Sequence, residues 1–144
     1  MTHPGTAWLL SWAPNPTDVQ RAWNEDEFAP IPSNGWTVVE APCLRSLEAM
    51  RPLARGGELG PVLVDLAADV AWWLVADGAD EHLADLPMLT VRPPGWALRC
   101  PPADQYFNGR GWLEKPDGDG KLTDPIKLGA AFGPGGRLPA EAFG

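Results

Sequence analysis

The sequence has little of what most protein chemistry is built from. In 144 residues there are two histidines and two cysteines, and Cys43 and Cys100 stand alone. No CxxC pair or Cys/His spacing is present, which argues against a zinc site. Two isolated thiols make no disulfide framework, so both are expected as small buried hydrophobes. Lys and Arg number only 11 against 19 Asp and Glu, a net charge of −8. The basic residues form no run. Non-specific nucleic-acid binding needs clustered cations that release counterions, so it is disfavoured. No apolar run approaches the ~20 residues of a membrane-spanning helix. The opening MTHPGTAWLLSWAP has no basic segment ahead of its apolar residues and does not read as a secretory signal. A soluble, cytoplasmic chain is expected. The glycine strings ARGGELG and GPGGR lack both phosphate-cradling layouts, GxxxxGK[ST] and GxGxxG. No motif asks for a cofactor.

What is present is an ordinary globular composition, 44% hydrophobic and 21% charged. The length fits one domain. The 16 glycines and 17 prolines are spread as punctuation, which predicts many turns. Between Gly35 and Pro102 lie four short apolar runs, GWTVVEAP, LGPVLVDLA, VAWWLVADG and GWALRCPP, each with the length and make-up of a strand.

Read in order, Ala7–Trp12 is expected as a first strand or packing arm. Thr17 is the expected cap of a helix that Pro30 and Pro32 stop. In Trp36–Ala41, alternation puts Trp36, Val38 and Glu40 on one face and Thr37, Val39 and Ala41 on the other. Leu44, Leu47, Ala49, Met50 and Leu53 have the spacing of an amphipathic helix, ended by Gly56-Gly57. Pro61–Ala67 and Val70–Ala76 read as a hairpin. Its second strand is apolar on both faces, as a covered central strand would be. Asp77 is the expected cap of a short polar helix over Asp80–Leu86. Met88–Arg92 and Trp96–Cys100 are two further strands. Asp124 or Thr123 caps a last helix with Pro125 at its first position. The order predicts an α+β fold, an RRM-like split βαβ with a mostly antiparallel sheet and helices on one face. Its core spans about residues 17–102. Residues 103–144 read as a C-terminal extension with a frayed end.

The side chains with chemical potential are few. Glu40, at a strand end, is a candidate carboxylate. Asp65, inside an apolar strand, and Asp69, in the turn that follows, could join it around one cation. His82, in DEHLAD, is a weak candidate base. A small hydrolase or nucleotide-modifying enzyme would need Glu40, Asp65 and His82 to converge in one pocket. Tryptophan is the excess, eight residues, and it often marks binding faces. If a sheet face is open, Trp72 or Trp73 could stack a flat ligand. Arg92 and Arg99, on adjacent predicted strands, and Arg110 are the candidate anion contacts. An exposed tryptophan patch that docks a partner protein is a third reading.

The four runs also resemble a family. WTVVEAP, LGPVLVDLAADVAWWLVADG and GWALRCPP are similar, in order and wording, to the N-terminal domain of bifunctional DNA primase-polymerases of the archaeo-eukaryotic primase superfamily. They look most like the short stand-alone versions carried by actinobacteria. The resemblance covers about half the chain. It implies two carboxylates one residue apart on the first strand, a histidine before the aromatic strand and a last carboxylate on the strand before GWALRCPP. Together these would hold two divalent metals against a triphosphate. Here the positions hold Glu40 and Pro42, Ala71 or Trp72, and Leu89 or Thr90. The resemblance therefore implies a degenerate, metal-free relative acting as a binding module for a nucleotide, single-stranded nucleic acid or a protein partner.

Overall fold

The computed structural model describes residues 2–133. The expected frayed end of the tail lies outside them. Two helices come first, α1 (Pro4–Trp12) and α2 (Pro16–Asn24). Strands β1 (Ala29–Pro32) and β2 (Thr37–Pro42) lead into α3 (Cys43–Arg55). The hairpin β3 (Val62–Asp65) and β4 (Val70–Val75) is followed by the single turn α4 (Ala79–Leu83). Then come β5 (Thr90–Val91), β6 (Ala97–Cys100), β7 (Tyr106–Phe107), β8 (Arg110–Glu114) and α5 (Pro125–Phe132).

The α+β class and the antiparallel sheet hold. Six strands lie in the order β5-β2-β4-β3-β8-β7, every neighbouring pair antiparallel. Within it, the strand–helix–strand–strand–helix–strand run of the sequence is β2-α3-β3-β4-α4-β5. The alternation read in β2 is realised. Val39 and Ala41 enter one core, Trp36 and Val38 the other. In β4, Trp73 and Val75 face the first core and Trp72 and Leu74 the second. Helices α3, α4 and α5 cover the first face. The second face is covered too, by α1, α2 and a separate two-stranded ladder of β1 and β6.

Several elements differ from expectation, each for a local reason. Ala7–Trp12 is helical: Pro4 sits in its first turn and His3 Nδ1 accepts the Gly5 N–H at 2.9 Å. Asn15, not Thr17, caps α2, its side chain accepting from Asp18 N. That helix ends well before Pro30 and Pro32, which lie in β1. As a strand with a single partner, β1 tolerates residues that cannot donate to a ladder. On α3 the buried positions are Cys43, Ser46, Ala49 and Leu53, while Leu44 is 73% exposed and Leu47 also points outward. The reason is Trp73, whose indole N–H donates to the Ser46 hydroxyl at 3.0 Å. A buried indole needs an acceptor, so the serine takes a place that pattern alone would give to leucine. Gly78, not Asp77, precedes α4 at φ 103°, which favours glycine.

The strands around Arg92 and Arg99 are not sheet neighbours. β5 pairs with β2, and β6 with β1. Residues beyond 102 are part of the fold. Strands β7 and β8 extend the sheet, Ala103 and Trp112 enter the second core, and Leu128, Ala131 and Phe132 enter the first. The α5 start is as expected, with Asp124 accepting from Lys127 N at 3.0 Å and Pro125 at the first position.

Candidate functional site

The sheet face that meets the β1–β6 ladder carries the polar residues singled out in the sequence. Glu40 on β2 stands opposite Trp72 on β4, and on its other side opposite Thr90 on β5. Asp65 closes β3 and stands opposite Arg110, which opens β8. Strand pairing thus sets the side chains of residues 40, 72, 65 and 110 close together. Glu40 is ion-paired with Arg92. Arg92 in turn lies over the Trp96 ring, 5.2 Å from its centroid.

Arg110 is the hub. Its Nη2 meets Asp65 Oδ2 at 3.1 Å and its Nη1 donates to the Arg99 carbonyl at 2.8 Å. The guanidinium lies between two rings, 4.5 Å from the Trp72 centroid and 4.6 Å from that of Phe28. Phe28 itself stacks on Phe107. Cation–π contacts of partly desolvated guanidinium groups contribute about 0.5–2 kcal/mol each. Two buried donors nearby, Trp72 Nε1 and Arg92 Nε, have no acceptor among the described residues.

Between the sheet and the ladder is a cavity of about 170 Å³. Glu40, Trp72, Trp96, Arg99 and Arg110 line it, with the backbone of β6 between them. Arg99 is exposed, and among the described residues its guanidinium makes no ion pair.

Four of the expected site residues therefore meet: Glu40, Trp72, Arg99 and Arg110. Arg92 and Asp65 join through their ion pairs. Trp73 does not. It is fully buried on the opposite face, 5.6 Å edge-on from Phe132, so it cannot stack a ligand. Trp72 is 7% exposed and covered by Arg110, so base stacking on this face is also blocked. His82 sits on α4, over the other core, and lines a separate cavity of about 300 Å³ with Asp85, Leu86 and Ile126. The Glu40, Asp65 and His82 constellation is not formed. Nor is a tryptophan patch: five of the eight tryptophans are buried, and Trp8, Trp12 and Trp96 are only half-buried. Trp8, Trp12 and Trp36 pack on one another at 5.7–6.4 Å. The excess of tryptophan builds the second core.

Phe28 and Trp96 were not among the expected site residues. Phe28 carries no sequence signal, because its role depends on a long-range meeting with β8. Trp96 follows Pro-Pro-Gly, a turn that aims it at Arg92, and that local signal was available.

A two-metal centre does not fit these residues. Each carboxylate on this face is bound to an arginine, Glu40 to Arg92 and Asp65 to Arg110. No group of three or more His, Cys, Asp or Glu able to hold a cation occurs among the described residues. The suggested trio of Glu40, Asp65 and Asp69 is not assembled.

The Asp65 carboxyl is held below the usual aspartate range. The Ala68 N–H, donating at 3.1 Å, is the largest cause, burial opposes it, and Arg110 adds to the lowering. A folded-state pKa below the unfolded one stabilises the fold above the unfolded value of about 3.9, and the benefit is lost as pH falls through the folded value. Asp65→Asn is therefore expected to lower the melting temperature at pH 7. The gap to the parent chain should narrow in acid below about pH 4. Melting curves at pH 7 and at pH 3 check this; a gap that widens in acid would contradict it.

Comparison with protein-family models, with curated proteins and with solved structures returned no match.

Proposed function

We propose that this chain is a non-catalytic binding module on a primase-polymerase-like sheet, with its ligand site in the cavity lined by Glu40, Trp72, Trp96, Arg99 and Arg110. One observation carries the reading. Residues 90, 40 and 72 stand side by side across β5, β2 and β4. The resemblance places carboxylates at Glu40 and Pro42, a histidine at Ala71 or Trp72 and a last carboxylate at Leu89 or Thr90, so this row carries one member of each set. It holds Thr90, Glu40 and Trp72, and the one acid is neutralised by Arg92. A row so occupied has no ligand set for a divalent cation, but Glu40 and Trp72 still line a cavity.

The test is primer extension and nucleotide incorporation with Mg²⁺ or Mn²⁺. No incorporation is expected, and millimolar Mn²⁺ should leave the melting temperature unchanged, because a cation that binds only the folded state would raise it. Incorporation that Glu40→Ala abolishes would overturn the proposal.

A further inference from the structure

The binding-module reading leaves the ligand open, and charge and size at the cavity narrow it. Three guanidinium groups, those of Arg92, Arg99 and Arg110, face two carboxylates, those of Glu40 and Asp65. The patch thus keeps one positive charge in a chain whose net charge is −8. The uncompensated group is identifiable. The charge of Arg92 is matched by Glu40, although its buried Nε has no acceptor among the described residues, and Arg110 donates to Asp65 and the Arg99 carbonyl. Of the three, Arg99 alone has no carboxylate partner among the described residues. Its backbone is fixed, by pairing with Pro30 and by the bond that the Arg99 carbonyl accepts from Arg110. A free guanidinium on a held strand, at the mouth of a cavity, is available to a planar anion.

The volume adds a limit. At about 170 Å³ the cavity lies below the roughly 300–1,000 Å³ of sites for drug-sized ligands. A whole nucleotide or a stretch of single strand exceeds it. Its walls are mixed, with the Trp96 ring and Trp72 beside the arginines. An inorganic phosphate would leave those apolar walls unused and, as a dianion, exceeds the single charge on offer.

We propose that the cavity binds a small organic monocarboxylate, its two oxygens gripped by the Arg99 fork and its apolar part against Trp96. Fork-to-carboxylate pairing gives two parallel charge-assisted hydrogen bonds. Arg110 adds field and a flat guanidinium surface without being freed from Asp65. Glu40, masked by Arg92, sets the repulsive side of the site and disfavours a second negative charge.

The experiment uses the full chain with sodium benzoate and sodium acetate as carboxylate probes. Inorganic phosphate, AMP and the cation benzamidine are the contrasts. Isothermal titration reads affinity, and tryptophan emission reads occupancy through Trp96. Benzoate is expected to bind saturably and more tightly than acetate, and benzamidine not at all. In Arg99→Gln, benzoate affinity should fall about 10–100-fold, the loss expected when a hydrogen bond to a charged group is removed. Its melting temperature without ligand should match the parent, since Arg99 is exposed. Ala97→Phe, on the same strand, should block binding by filling the cavity with every charge kept. Failure of both carboxylates to bind, or equal benzoate affinity in Arg99→Gln, overturns the proposal. Binding of AMP or phosphate but of neither carboxylate overturns the ligand class and leaves the binding-module reading standing. Metal-dependent incorporation of nucleotides sinks that reading whatever the anions do.

Discussion

Trp73→Ala is expected to lower the unfolding free energy by about 3–5 kcal/mol. Domains of this size have about 5–15 kcal/mol in total, so the variant will be near the edge of folding at 37 °C. Three losses combine. The ring is fully buried in the core beneath α3 and α5, so its removal leaves a cavity at the centre of the sheet. The edge-on contact with Phe132 goes with it. The buried Ser46 hydroxyl loses the indole donor that justifies its place on α3. Urea denaturation read by far-ultraviolet circular dichroism measures the change, and a loss under about 1 kcal/mol would contradict the packing described here. Trp73→Phe should recover part of the loss, because it refills most of the volume and leaves only the hydroxyl without its donor. Ser46→Ala in the Trp73→Phe background should then be nearly neutral, since no polar partner is left to strand.

Arg110→Met is expected to cost about 3 kcal/mol, with little of it recovered by the similar length of the side chain. The Asp65 and Arg110 side chains are 14% and 18% exposed, so the pair is largely removed from water. Deleting one member leaves the Asp65 charge facing the gap between Trp72 and Phe28. The Arg99 carbonyl also loses the donor that ties β6 to β8. Adding Asp65→Leu should restore much of the stability, because removing both charges ends the desolvation penalty that removing one exposes. A double-mutant cycle checks the sign. Strict additivity of the two losses would show that the pair is not coupled. The same double variant should bind carboxylate more weakly, because Arg110 no longer ties the Arg99 carbonyl, although pairing with β1 still holds β6.

Where side-chain pattern followed from local geometry, the sequence was informative. The strand β4 is apolar on both faces because it lies inside a sheet with a core on each side. The alternation of β2 reports the same two cores. Asp124-Pro125 reports a helix start through the chemistry of capping. Where structure follows from distant pairing, pattern was silent. APIP reads as a breaker until β6 is beside it. Ala7–Trp12 is a short apolar run, and periodicity cannot separate strand from helix over six residues. The site shows the same division. Glu40, Trp72, Arg99 and Arg110 were visible as candidates, each on its own strand. Their meeting depends on the β2–β4–β3–β8 order and on a ladder folded across it, neither of which any one segment encodes. Trp73 departs from the expectation because face alternation does not say which face is open, and here neither is.

The first helix is clasped from far along the chain. The Thr6 hydroxyl accepts the Ala103 N–H at 2.9 Å. A side-chain carbon at Gly5 would lie 1.9 Å from the Pro116 carbonyl oxygen, so only glycine permits that approach. During synthesis α1 emerges before residues 103–116, so the clasp on it is incomplete until they have left the ribosome. Until then Leu9 and the Trp8–Trp12 pair can meet only the part of the second core that precedes residue 103, Trp36 among it. This helix must wait incompletely covered, and it is this interval, more than the finished fold, that would expose the protein to chaperones and to aggregation.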